Sequence, residues 1–174
     1  EQYNGTLGTT PRFVDLHQAP VGNLKYKSDL AKRYTNPGSV NGRRMCTVNL
    51  IAPDLAITAG HCFDIDPSPT LNTPRDNGTG NPIPRADLAL EMEVGFNYQF
   101  HTNGNPRTEV DFDVIDLVED ENGNVDYAII QLDQNPGNTY GTAMMSPFSL
   151  EVNAPITIIQ HPAELEKKVH AGPI

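Results

Sequence analysis

Apolar and polar residues alternate in short runs along most of the chain. Cys46, Val48 and Leu50 share one face of residues 46–50, and alternation resumes over 55–59 after Pro53-Asp54. This predicts two strands joined by a tight turn. Residues 88–96 read as a strand with Leu88, Leu90, Met92 and Val94 on one side. Residues 110–118 read as another with Val110, Phe112 and Val114 inward, until Ile115-Asp116-Leu117 reverses the face. A change of phase inside a strand predicts a β-bulge, a device that bends tightly curved barrels. Residues 120–124 form an Asx-Gly turn, 127–132 a continuous apolar strand closed by Asn135-Pro136-Gly137, and 155–160 one more strand of buried type. The polar, basic stretch 23–41 has no clean period and reads as surface, with a helical turn around 28–34. Residues 63–85, crowded with Pro, Asn, Asp and Gly, read as a long surface loop. Seven or so short strands, no long helix and no internal repeat predict an all-β Greek-key barrel or sandwich.

Composition narrows the possibilities. The 174 residues hold 12 Lys plus Arg against 22 Asp plus Glu, a formal charge of −10. That excludes a nucleic-acid binder working through a basic face, and an anionic membrane surface would repel the chain. No apolar run approaches the roughly 18–20 residues needed to span a bilayer. Fourteen Gly and fifteen Pro favour short elements joined by loops. Asn4-Gly5-Thr6 and Asn77-Gly78-Thr79 are candidate glycosylation sequons. Two cysteines, Cys46 and Cys62, are compatible with a disulfide, two buried thiols or half a metal site.

The chemistry concentrates in Thr58-Ala59-Gly60-His61-Cys62, which ends an apolar strand sixteen positions after Cys46. Together with Cys46-Thr47-Val48-Asn49-Leu50-Ile51 and the intervening turn, this block resembles the trypsin-like (chymotrypsin-fold) serine endopeptidases in residue type, order and spacing. The resemblance implies that His61 is a general base and that Cys46 and Cys62 form a disulfide beside it. Closing a 16-residue loop would limit the movement of that histidine and contribute about 3 kcal/mol on the chain-entropy model. A histidine base needs a carboxylate to fix its tautomer. Val125-Asp126-Tyr127-Ala128-Ile129-Ile130-Gln131-Leu132 resembles the family's aspartate block, so Asp126 is the expected partner. Asp87 and Asp116 compete, but neither is followed by such an apolar run.

Other chemistries fit less well. Residues 120–126 fail the calcium-loop template, with Val125 where Gly is required and no Glu at the twelfth position. His17, His61, His101, His161 and His170 are scattered without ligand spacing, so neither a metal nor another cofactor is expected.

Two later blocks resemble the glutamyl-endopeptidase (V8-like) branch: residues 132–137 followed by Tyr140-Gly141, and Ile156-Thr157-Ile158-Ile159-Gln160-His161-Pro162 with Lys167-Lys168. In that branch the Gln-His-Pro strand opens a second barrel, and His161 would be structural. Ala163-Glu164 stand where the branch usually has Gly, and Val48 where it has a small residue. The expected organisation is therefore an N-terminal segment and first chymotrypsin-like Greek-key β-barrel over residues 1–135, then a linker and the start of a second barrel over 136–174.

The family's nucleophile lies in a Gly-x-Ser-Gly block, and none of Ser28, Ser39, Ser68, Ser146 and Ser149 sits in one. The expectation is a secreted endopeptidase acting on protein or peptide substrates, this chain supplying His61 and Asp126. Its serine would lie beyond residue 174 or on a second chain. The alternative reading is a protease-like binding module without a nucleophile.

Overall fold

The computed structural model describes residues 5–147 and 149–173; Asn4 falls outside them. Helix α1 (Pro11–His17) starts with Pro at a position that needs no N–H donor, and the Thr10 hydroxyl caps it by accepting from Phe13 N at 3.1 Å. Strand β1 (Val21–Tyr26), the short helix α2 (Leu30–Arg33), β2 (Arg44–Leu50) and β3 (Leu55–Thr58) follow. After a 3₁₀ turn at Gly60–Phe63 come α3 (Arg85–Leu90), β4 (Met92–Phe96), β5 (Val110–Asn122) and β6 (Asp126–Leu132). Six strands close into an antiparallel barrel in the order β1-β2-β3-β6-β5-β4, with β4 returning to β1. The last elements are α4 (Gly137–Tyr140), β7 (Pro155–Gln160), a 3₁₀ turn at Pro162–Glu164 and β8 (Lys168–Pro173). Among the described residues, strands β7 and β8 pair with each other and with no further strand.

In 46–50 the predicted face turns inward at Val48 and Leu50; Ala56 of β3 is buried too, and β6, read as a continuous apolar run, alternates in the fold with Ala128, Ile130 and Leu132 inside. Each Leu or Ile so buried contributes roughly 1.5–3 kcal/mol of transfer free energy. The predicted bulge is present, with β5 slipping register against β6 between Val114 and Asp116 and again between Leu117 and Glu119.

Four expectations need correction. Residues 23–26 are no surface segment; they belong to β1, a barrel strand buried along its whole length. Its polar side chains are neutralised inside: Lys25 Nζ lies 2.8 Å from Asp111, 3.3 Å from Glu109 and 3.5 Å from Glu93. A residue's polarity reports solvent contact only when no partner charge is folded against it. Residues 85–90 are helical, because Pro84 sets the start and a run of Arg, Ala and Leu favours helix, which buries the adjacent Leu88 and Ala89. Only 92–96 of the expected 88–96 strand is extended. The 63–85 loop is tied into the molecule, with Phe63, Thr73 and Ile83 buried and Asp66 bonded to Thr73 and Arg75. Strand β7, expected to be buried, is half-exposed.

His161 sits where β7 leads into the second 3₁₀ turn. Its backbone N donates to Thr47 Oγ1 at 2.9 Å, its ring Nδ1 donates to Leu165 O at 3.2 Å, and the ring stacks on Tyr98. Burial foremost, then the Lys167 charge, pushes its pKa down to about 4. The folded chain therefore holds His161 neutral, while the unfolded chain binds a proton below about pH 6.5. This contribution is complete above about pH 6.5 and is lost as pH falls toward 4. Thermal melts across that window are expected to show a fall in Tm that His161→Phe flattens; an unchanged slope would contradict it.

Candidate functional site

The site is built where β3 runs out. Ala59 is extended, the chain then tightens into the 3₁₀ turn, and Phe63 at the far end of that turn anchors it in the core. Cys62 is disulfide-bonded to Cys46 of β2, with 6.2 Å between the Cα atoms. Thr58 Oγ1 donates to Thr47 O at 2.8 Å, tying the end of β3 to β2 just ahead of the turn. His61 is thus mounted on a short turn fixed on both sides.

Gly60 lets the neighbouring hairpin come close. A Cβ there would stand 2.3 Å from Glu121 O and 3.0 Å from Tyr127 O, so any larger residue would push the β5–β6 hairpin away. That hairpin delivers Asp126 at the first position of β6. Asp126 Oδ1 accepts from His61 N at 2.9 Å, and Oδ2 lies 2.6 Å from His61 Nδ1. Both carboxylate oxygens are used, so the ring is held in rotation as well as in position. Hydrogen bonds from His61, the ring first and the backbone N–H next, hold the Asp126 carboxyl below the usual range. With Nδ1 committed to Asp126, the ring's proton-accepting nitrogen is Nε2, on a side chain that is 59% exposed.

The two competitors are elsewhere: Asp87 lies on α3 and Asp116 at the bulge of β5, and neither bonds to His61. Cys46, His61 and Cys62 form a group of three ligand-type side chains, but both sulfurs are spent in the disulfide. Asn77 lies on the surface with its side chain engaged: Nδ2 donates to Arg33 O at 2.8 Å and Oδ1 accepts from Thr35 N at 2.8 Å.

The sequence pattern did not reveal Arg85. It heads α3 and reaches under the histidine turn, where Nη2 donates to Gly60 O at 2.7 Å and Nη1 pairs with Asp64 at 2.6 Å. The same guanidinium bonds Asp120 of β5 through Nε at 2.9 Å. Asn122 Nδ2 also donates to Asp64 Oδ1, at 2.5 Å. Arg85 therefore ties the turn carrying His61 to the hairpin carrying Asp126, using the planar fork that Lys lacks. Arg85→Gln is expected to speed hydrogen exchange at the His61 backbone amide about tenfold, a size in keeping with loss of a charged hydrogen-bond cluster. The Ile130 and Leu132 amides should be unaffected, which separates loss of the brace from general destabilisation.

No protein-family model matches the sequence. No curated protein matches it either. Solved structures do. A glutamyl endopeptidase in complex with MPD superposes with a TM-score of 0.53 at 17% identity, over 90% of this chain and 62% of that one. An inactive serine-to-alanine form of M. tuberculosis Rv3671c gives a TM-score of 0.50 at 13% identity, over 99% and 59% respectively. The fold is the chymotrypsin-type antiparallel β-barrel of serine proteases, and the chain spans about three-fifths of each of these solved chains.

Proposed function

We propose that this chain is the amino-terminal part of a secreted serine endopeptidase, and that His61 and Asp126 are its general base and the carboxylate that orients it. The observation that carries this reading is the paired contact of Asp126 with both the ring and the backbone of His61. A surface ion pair needs only one such bond. A base that must present Nε2 at a fixed angle needs both.

In the proposed reaction a serine outside residues 1–174 attacks a peptide carbonyl while Nε2 of His61 takes the hydroxyl proton. His61 returns that proton to the leaving amine, giving an acyl-enzyme, and then activates water to release the acid. Asp126 stays ionised and stabilises the imidazolium in both halves. The oxyanion donors and the pocket that selects the side chain would come with the serine. The segments around 132–141 and 156–168 favour the glutamyl-specific branch, which makes a peptide with Glu before the scissile bond the first substrate to try.

The test is intact mass, native and denatured, of the protein purified with any co-purifying chain after reaction with a fluorophosphonate. One adduct on a serine outside residues 1–174, abolished by His61→Ala, is the expected result. Absence of labelling, with a residue other than Ser at the nucleophile position of the continuing sequence, would replace this reading by that of a protease-like binding module.

A further inference from the structure

Away from His61, a cleft opens where the end of α1, the 98–107 loop and the β7–β8 hairpin meet. It has a volume of about 110 Å³ and is lined by Asp15, Gln18, Gln99, Arg107 and Lys167 among apolar residues such as Val14 and Val169. That is room for several waters or a small polyatomic ion, a water's share of liquid being about 30 Å³.

Its charge is out of keeping with the rest of the molecule. The half-buried cations Lys25, Arg44, Arg75 and Arg85 each have a carboxylate oxygen within 2.5–2.8 Å. Arg107 and Lys167 have no ion pair among the described residues, although the chain carries −10 overall. They lie close enough that the Arg107 charge acts on Lys167. Gln18 Oε1, Gln99 Oε1 and Arg107 Nε are buried with no hydrogen-bond partner, and all three residues belong to this one cleft. A buried donor left unpaired costs about 1–3 kcal/mol, so Arg107 Nε calls for an acceptor; the two glutamine oxygens are themselves acceptors and are met by water or a protonated group rather than by an anion.

The cleft is also fixed in advance. Lys167 N donates to Tyr98 O at 2.9 Å and Arg107 N to Gln99 O at 2.8 Å, while Lys167 Nζ donates to Gln18 O at the end of α1 at 2.7 Å. Two basic side chains held together by the backbone, one of them with the unpaired Arg107 Nε donor, are organised for an acceptor that the described residues do not supply.

We infer that this cleft is a binding site for a small oxyanion, a carboxylate, sulfate or phosphate group, held between the Arg107 guanidinium and the Lys167 ammonium. Asp15 also lines the cleft but is exposed to solvent, which weakens its repulsion of a bound anion. The inference is independent of the proposed protease activity. Burial, then the Arg107 charge, pushes the Lys167 pKa down to about 7. An empty site at pH 8 is therefore largely uncharged at Lys167, and a bound anion draws a proton onto it.

The test is calorimetric titration of the full chain with sulfate at pH 8, in two buffers of different ionisation enthalpy, with ionic strength held by sodium chloride. Sulfate does not titrate in this range, so any proton taken up is the protein's. Saturable one-to-one binding with uptake approaching one proton is expected. Arg107→Gln should weaken binding at least tenfold, and Lys167→Met should remove the uptake. A parallel acetate titration separates the sources: sulfate alone binding assigns a free tetrahedral anion, and acetate binding assigns a carboxylate. Should either variant fail to fold, the two-buffer measurement on the unaltered chain still decides. No saturable heat with either probe, or saturable heat that Arg107→Gln leaves unchanged, which marks an adventitious ion only, overturns the inference.

Discussion

Replacing Asp126 by Asn in the nucleophile-completed protein is expected to lower kcat about 10⁴-fold with KM little changed, the size known for this change in well-studied triads. The reason lies in which atoms the carboxylate offers. Oδ1 accepts from His61 N and Oδ2 faces Nδ1. An amide has one acceptor oxygen. If it keeps the backbone bond, its NH₂ turns toward Nδ1 and selects the tautomer with the proton on Nε2, the nitrogen that must be free to accept one. The fold should survive, because both side chains lie largely in solvent. Single-turnover kinetics on a peptide substrate provide the measurement, and a loss below tenfold would remove Asp126 from the proposed mechanism. A pH effect accompanies it. Asp126 is held below its ordinary pKa by His61, so its stabilisation of the turn is present above about pH 4 and disappears as pH falls through the lower folded value. Asp126→Asn should lack that acid transition.

The second large effect is on stability. Replacing Cys46 and Cys62 together by Ala removes a link across sixteen residues. It is expected to cost about 3 kcal/mol, a fall in Tm of about 6–12 °C for a chain of this size. Denaturant unfolding of the double variant checks it, and a loss below about 1 kcal/mol would mean that Thr58 and Phe63 hold the turn without help. Local exchange should rise most at residues 60–63, where the bridge is attached.

Most of the barrel could be read from the chain because its strands obey a period of two, and a side chain's face then follows from parity alone. Val48 and Leu50 are cases where burial and alternation coincide, whereas in the continuously apolar β6 only the fold shows that Ile130 and Leu132 are the inward residues. Strand β1 broke the rule because Asn23 and Lys25 are buried against partners up to 86 residues away: Lys25 meets Asp111, and Asn23 Oδ1 accepts from Arg44 at 2.9 Å. No local window contains that compensation. The start of α3 was misread for a related reason, since Leu88 and Leu90 satisfy a strand pattern while six residues are too few to display a helical one. The cost of that misreading was Arg85, whose contacts with Gly60 and Asp120 span 25 and 35 residues. The blocks around His61 and Asp126 singled the two residues out as a candidate pair. Their contact required the fold.

The barrel's closure also governs when the contact between His61 and Asp126 can exist. His61 follows β3 and Asp126 opens β6, and these strands are neighbours only through a pairing that joins residues about 70 apart, such as Thr58 with Ala128. Such a non-local pairing is paid for in loop entropy before it is rewarded, and it forms late relative to the β5–β6 hairpin. A newly made or damaged chain with its hairpins intact but β3 detached has no oriented histidine. If the proposed function holds, hydrolytic competence is conditional on finished folding, and half-folded copies leave neighbouring chains intact.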